Sequence, residues 1–339
     1  MNQFRRFCAG ALFALFFIVC LDATAAKPTK SIEPPPNPEV KRFAAEVAKA
    51  GNLDEGEVLA TLAEAHVQQS ILDAIARPAE GKPWKDYRPI FVNSSRVDGG
   101  IDFYRENRAL LERLGNEYGV PPELVVAIIG VETNYGRITG RYRVLDALYT
   151  LAFSYPPRAE FFRGELRQLF LLGDKHLAFP IDELKGSYAG AMGWGQFMPS
   201  SIDKYAVDFD RDGKIDLWDS LSDITASIAN YFVGYGWEKG GPVMVRAVAA
   251  SDAQPLRPEN LEPVYTVQQL EAWGYAPTDH VDAARKATLL TLDGENGPEY
   301  WLTFNNFFVI SRYNHSSLYS TAVWQVAQAV AAGNTASPP

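Results

Sequence analysis

The chain is 339 residues long, 47% hydrophobic and 22% charged, fractions that exclude a disordered, collagen-like or many-span membrane protein. A formal charge of −9 and a pI near 5.1 exclude the broad basic field of a general nucleic-acid binder. The length predicts about two domains, with a core large enough to need no covalent staples.

Residues 1–26 form a separate object. Arg5 and Arg6 make a basic start, Leu12–Leu21 is an almost unbroken apolar run, and Ala23, Thr24 and Ala25 are the small residues a signal peptidase reads. The run is too short to span a bilayer comfortably, so it predicts a cleaved export signal. Cys20 invites a lipid anchor, but Val19 stands where a lipobox needs a small residue. Both cysteines, Cys8 and Cys20, fall in this segment, so the mature chain has no disulfide and no thiol nucleophile. Residues 27–38, with Pro28, Pro34, Pro35, Pro36 and Pro38, read as an extended linker.

From Val40 to Arg77 the apolar residues recur at helical spacing. Gly51 and Asn52 separate two helices there, and Pro78 ends the second. Pro83–Asn93 reads as a packed connection. One helix is expected over Ile101–Tyr118, stopped by Gly119, and the next over Pro122–Thr133, with proline tolerated in its first turn. That second helix is apolar nearly all round, which predicts burial. Further helices are expected at Val144–Phe153, Arg158–Leu172, Asp223–Phe232 and Leu318–Ala331. Val243–Val248, Thr288–Leu292 and Tyr300–Phe304 have strand-like composition. The predicted class is α+β, mainly α. It comprises a helical core over 39–242, a small β-containing subdomain over 243–300 and a C-terminal return over 301–333.

Three stretches carry chemistry. Glu132 ends the most apolar helix, where desolvation and the negative end of the helix dipole both favour a protonated carboxyl. Such a group can donate to a leaving oxygen, as glycoside cleavage requires. A helix-end carboxylate paired with Arg137 is the other reading. Gly186–Ser201 interleaves glycines with Tyr188, Trp194 and Phe197, flat faces and amides that suit sugars, although a glycine-rich packing turn has the same composition. It lacks the lysine of a phosphate loop. Asp208, Asp210, Asp212, Gly213, the Lys214 carbonyl and Asp219 follow calcium-loop spacing. Asp219 replaces the usual Glu at position twelve, and Asp223 stands near enough in sequence to complete the set. A single loop points to one structural calcium site, not a paired sensor.

Together these stretches resemble the lytic murein transglycosylase B family, glycoside hydrolase family 103. The resemblance runs from about Val40 to Ala331 through Tyr118–Leu124, Val131–Gly136, Gly190–Ser201, Tyr205–Asp210, Asn306–Phe307 and Ser311–Asn314. It implies a lysozyme-like core that cleaves the MurNAc-β-1,4-GlcNAc bond of peptidoglycan without water; the export signal places the mature chain in the periplasm. By positional match Glu132 is the acid/base, and Ser187, Gln196, Phe197, Met198, Tyr313 and Asn314 line the glycan groove, with Tyr87 and Arg158 as further contacts. The family's metal loop matches Asp208, Asp210, Asp212, the Lys214 carbonyl, Asp219 and Asp223. This chain has Asp210 where shorter polar residues also occur, and one extra residue between Asp219 and Asp223. No organic cofactor is implied. The implied partners are glycan strands and, transiently, cell-wall synthesis or remodelling proteins.

A single carboxyl is enough for such chemistry, and no Asp or Glu occurs within Ser187–Ser201 to serve as a second. The substrate's own N-acetyl group, held by Ser187 or Gln196, would stabilise the intermediate. The rival readings are a hydrolytic muramidase on the same groove and a non-catalytic, calcium-stabilised wall-binding module.

Overall fold

The computed structural model describes residues 38–76 and 82–335. The expected export segment and the expected linker up to residue 37 lie outside them. The described chain divides into a larger unit, residues 38–76, 90–240 and 323–335, and a smaller one, residues 82–89 and 241–322. The class is α+β, mainly α, as the sequence predicts.

Helix α1 (Pro38–Gly51) takes Pro38, expected as the last linker residue, into its first turn and buries Phe43, Ala44, Val47 and Ala48. Beyond it stand two helices instead of one, α2 (Glu55–Ala63) and α3 (Gln69–Ile75). The break is made by distant side chains. The His66 N–H donates to Asp146 Oδ1 at 3.0 Å and the Gln68 N–H to Thr150 Oγ1 at 3.0 Å, so the backbone there is satisfied outside any helix. The expected connection after Pro83 is itself a helix, α4 (Trp84–Phe91), with Pro89 inside it.

The single helix expected from Ile101 is also two, α5 (Ser94–Glu106) and α6 (Arg108–Tyr118). They part at Asn107, whose backbone N–H and Nδ2 both donate to the Phe103 carbonyl, at 3.1 and 2.9 Å. Gly119, at φ 69°, ends α6. Helix α7 (Pro122–Thr133) has the predicted bounds and is buried from Leu124 to Thr133. It packs against α5, α6 and α11. Strand β1 (Tyr142–Arg143) leads into α8 (Val144–Ser154), followed by a short 3-10 turn at Pro156–Arg158 and α9 (Ala159–His176). Helical geometry in α9 fails at Gly173, φ 54°, one residue past the expected end. Strand β2 (Lys185–Gly186) pairs antiparallel with β1 and delivers the glycine-rich block. Helices α10 (Pro199–Tyr205) and α11 (Leu221–Gly234) follow.

The smaller unit holds β3 (Met244–Ala249), β4 (Tyr265–Thr266), α12 (Val267–Ala272), β5 (Tyr275–Pro277), β6 (Lys286–Gly294) and β7 (Gly297–Thr303). The strands form one antiparallel sheet in the order β4-β6-β7-β3-β5. Val245, Ala247, Leu289 and Leu302 face Val267 and Leu270 of α12 in its core. The boundary expected between residues 300 and 301 falls inside β7, where Tyr300 pairs with Ala247 and Trp301 with Arg246. A ladder cannot be divided there, and the unit continues through α13 (Asn305–Tyr313) to residue 322. Helix α14 (Ser317–Thr335) closes the described chain. No helix among the described residues is long and apolar enough to cross a membrane.

Candidate active site

Glu132 lies in the last turn of α7 and is only 7% exposed. The chain turns sharply just after it, because Asn134 (φ 50°) and Tyr135 (φ 60°) are both left-handed. Their N–H groups return to the Gly130 and Ile129 carbonyls. Thr133, fully buried, joins this corner to the glycine-rich block. Its Oγ1 lies 3.1 Å from both the Ile129 and Trp194 carbonyls and accepts the Gly136 N–H. Gly136, at φ 76°, is covered by the Trp194 ring, and a Cβ there would come within 2.2 Å of it. The sequence motif drew attention to Glu132; the linking role of Thr133 is visible only in the structure.

In the block itself Ser187 is buried, and its Oγ accepts the N–H groups of Ala189 and Ala191 at 3.3 and 3.1 Å. Its lone pairs are thereby engaged, and the O–H is what it can offer. Gln196, at φ 51°, does the converse: Nε2 donates to the Thr139 and Gly193 carbonyls at 3.0 and 2.9 Å, which leaves Oε1 as an acceptor. Phe197 departs from expectation. Its ring is buried against Tyr231, centroids 5.7 Å apart, and both its backbone groups pair with Met192. It braces the block from the core side, because a ring in that cluster gains more from burial than from exposure to a groove. Met198 is buried as well and precedes α10.

Arg158 is half-buried, its guanidinium 4.3 Å from the Phe161 centroid and 5.1 Å from that of Phe162. Desolvation pushes its pKa down, while the nearby Tyr155, Tyr188 and Glu165 push it up. Glu165 was missed by the sequence reading and had no local motif to reveal it. It is buried in α9 and receives the Ser200 N–H at 2.9 Å and its hydroxyl at 2.7 Å. Desolvation raises its pKa against those hydrogen bonds. The effect is to tie α9 to the residues just after Met198.

Three expected contacts belong to the smaller unit. Tyr87 is a correction: it is 1% exposed, stacked on Trp84 at 6.3 Å, and its ring belongs to the core. Tyr313 is half-buried at the end of α13. Asn314 is buried, and its Oδ1 has no hydrogen-bond partner, an uncommon state for a buried acceptor and one a ligand donor would relieve.

The acidic loop gathers Asp208, Asp210 and Asp212 with carboxylate oxygens within 4.8 Å of one another. Backbone N–H groups of Asp212 and Gly213 donate to the two oxygens of Asp208, and that of Lys214 to Asp212. Converging hard oxygens around a tight glycine turn (Gly213, φ 91°) are a donor set that fits calcium. Asp210 is held below the usual carboxylate range by the Ser220 and Ser222 hydroxyls. Asp219 is not part of the trio and turns its N–H to Asp216. Asp223, expected as a ligand, instead points inward from α11: Oδ1 receives the Phe209 N–H at 2.8 Å and Oδ2 the Asp216 N–H at 3.0 Å. Burial raises its pKa. Two orphan backbone donors engage this carboxylate, so it braces the loop.

Residues 36–328 match the family model described as a transglycosylase SLT domain. The chain belongs to the lytic transglycosylase family. It is 43% identical over 305 residues to the membrane-bound lytic murein transglycosylase B of Escherichia coli (strain K12), covering 87% of this chain and 83% of that one. Among solved structures, catenated lytic transglycosylase SltB1 of Pseudomonas aeruginosa superposes with a TM-score of 0.84 at 44% identity, covering 88% and 98% of the two chains. The E. coli lytic transglycosylase Slt35 in complex with calcium does so at 0.80 and 42%, covering 88% and 94%. As a lytic transglycosylase the protein is a glycan lyase, and its lysozyme-like fold is that of these structures.

Proposed function

We propose that this lytic transglycosylase cleaves the MurNAc-β-1,4-GlcNAc bond of peptidoglycan with Glu132 as its single acid/base. The observation that carries this is the burial of Glu132 at an α7 terminus joined through Thr133 to the Ser187–Ser201 block. The Glu132 carboxyl gives its proton to the glycosidic oxygen as the bond from C1 breaks. The resulting carboxylate then takes the proton of the MurNAc C6 hydroxyl, whose oxygen bonds to C1 and closes a 1,6-anhydro ring. No water is consumed and Glu132 ends protonated, ready for the next cycle.

An oxocarbenium-like C1 needs stabilising between these steps, and the substrate's N-acetyl group can supply it. Ser187 O–H and Gln196 Oε1 offer one donor and one acceptor, the complement of an amide's C=O and N–H. Arg158 and Met198 are further glycan contacts in this reading, and so are Tyr313 and Asn314, the latter through its unpartnered Oδ1. Asp208, Asp210 and Asp212, with the Lys214 carbonyl and Asp219, would hold one calcium ion. When bound it supplies positive charge that fixes the loop, and it takes no part in the reaction. Residues 1–26 direct export, after which the mature chain works in the periplasm.

Mass spectrometry of muropeptides released from purified sacculi tests the reaction. Anhydro ends support it; reducing ends would make the enzyme a hydrolytic muramidase, and absence of release would leave a binding module. N-terminal sequencing tests the location: a start near Ala26 or Lys27 fits, and a lipidated Cys20 would place the enzyme on a membrane.

A further inference from the structure

Arg96 sits in the first turn of α5, where its sequence context is that of an ordinary surface arginine. Its guanidinium reaches the carbonyl end of α7 instead, with Nη1 donating to the Gly130 carbonyl at 3.0 Å and the Val131 carbonyl at 3.3 Å. The second bond fills a gap. In a continuing helix Val131 would receive the Tyr135 N–H, but that N–H turns to Ile129 at 3.3 Å. Arg96 therefore supplies the donor that the left-handed turn withdrew, at the helix end where a cation is favoured.

The grip is reciprocal. The Tyr135 hydroxyl donates to the Arg96 carbonyl at 2.5 Å. Three glycines make room for that ring, since a Cβ on Gly130, Gly100 or Gly99 would stand 2.5, 2.7 or 2.9 Å from a Tyr135 side-chain atom. The Arg96 guanidinium also lies 5.1 Å from the Phe91 ring centroid. Its Nε is buried and carries no hydrogen bond. The ionisable groups that bear on Arg96 are Tyr135 and Glu132, and those that bear on Tyr135 are Arg96 and Arg137; Tyr135, pushed up by burial, is a neutral phenol. No group of α6 or α11 is among them. Burial is the main influence on Arg96, and Glu132 opposes it.

We propose that Arg96 is a positioning residue for Glu132, fixing the last turn of α7 by its carbonyls and holding a permanent cation beside the carboxyl. This rests on the reading of Glu132 as acid/base. The cation serves the second half of the cycle, in which Glu132 must exist as a carboxylate before it accepts the C6 hydroxyl proton. In the first half Glu132 must be protonated, so activity falls as pH rises past its pKa. Removing an attracting cation raises that pKa, and the alkaline limb of the pH profile must then move upward.

The experiment measures kcat, KM and the pH profile on sacculi for wild type, Arg96→Met, Arg96→Lys and Glu132→Gln, with thermal melts of each. The expected Arg96→Met result is a kcat lower by about 10- to 100-fold at little-changed KM, with the alkaline limb moved up by on the order of one pH unit. Arg96→Lys keeps the charge but loses the planar guanidinium that rests on Phe91 and sets Nη1 against both carbonyls, so its limb should lie near that of wild type while kcat stays reduced. Should Arg96→Met fail to fold, Arg96→Lys decides: a wild-type kcat in it overturns the proposal. An Arg96→Met protein with an unmoved limb and a kcat loss matched to its lower melting temperature also overturns it. Glu132→Gln separates the two layers. If it retains turnover, the acid/base reading fails; if it is inactive while both Arg96 variants behave as wild type, only the role of Arg96 fails.

Discussion

The corner around Glu132 and the acidic loop at 208–219 are built in opposite ways. At the corner, Thr133 and Tyr135 are buried and spend their polar atoms on the protein's own backbone. In the loop, Asp210 and Asp212 are exposed, and three carboxylates converge, with backbone N–H groups and serine hydroxyls opposing their repulsion. Core packing prepares the first for its task before any ligand arrives. In the proposed reading the second would be completed by a cation, which lodges chemistry and stability in different places.

That contrast can be broken most severely at Glu132. Glu132→Gln is nearly isosteric but cannot donate and then accept the proton, so turnover of sacculi should fall by about 100- to 10,000-fold or more with an unchanged circular dichroism spectrum. Wild-type release by this variant would remove the corner from catalysis.

The loop is sharpened by calcium itself. At a hundredfold excess over Kd the ion should add about 2.7 kcal/mol, read as a rise in Tm that Asp208→Ala abolishes and that magnesium reproduces poorly. Chelation should leave activity nearly unchanged wherever the protein stays folded. Immediate loss of turnover in a folded, chelated sample would erase the distinction between the two regions.

Smaller effects probe the links. Thr133→Val leaves the Trp194 carbonyl and the Gly136 N–H without their partner and should cost about 1–3 kcal/mol in urea unfolding, while Thr133→Ser should recover most of it. Glu165 has a folded pKa raised above its ordinary 4.5. The folded state therefore binds its proton more tightly, and stability falls as pH rises from the ordinary value through the raised one. Glu165→Gln should flatten that part of the profile, measured as unfolding free energy from pH 4 upward.

What could be read from the sequence was whatever local rules decide. The bounds of α7 follow from prolines at one end and an unbroken apolar run, and α6 ends at the glycine that any reader would choose. The break between α2 and α3 could not be read, because its cause is Asp146 and Thr150, some eighty residues away. At the site, local pattern marked Glu132 and the acidic trio, and the family resemblance added Ser187 and Gln196 as residues worth following. The resemblance offered Tyr87 and Phe197 as groove contacts, whereas the structure buries both rings; an aromatic ring has the same letter whether it faces sugar or core. Asp223 was taken for a ligand because spacing counts carboxylates without showing which way they point. Arg96 and Glu165 gave no signal, since their partners, the α7 carbonyls and Ser200, come from other elements.

The bonds of Asp146 have a practical consequence for anyone shortening the chain. This carboxylate is 8% exposed in α8 and is engaged by the His66 N–H, the Gln68 amide and Arg143. Two of those three partners come from the stretch between α2 and α3. A truncation that began after residue 68 would remove both and leave the buried Asp146 carboxylate without two of its partners. The early helices are thus a cover that the catalytic part wears permanently. A minimal enzyme should be cut before α1, because Asp146 of α8 draws partners from the stretch after α2.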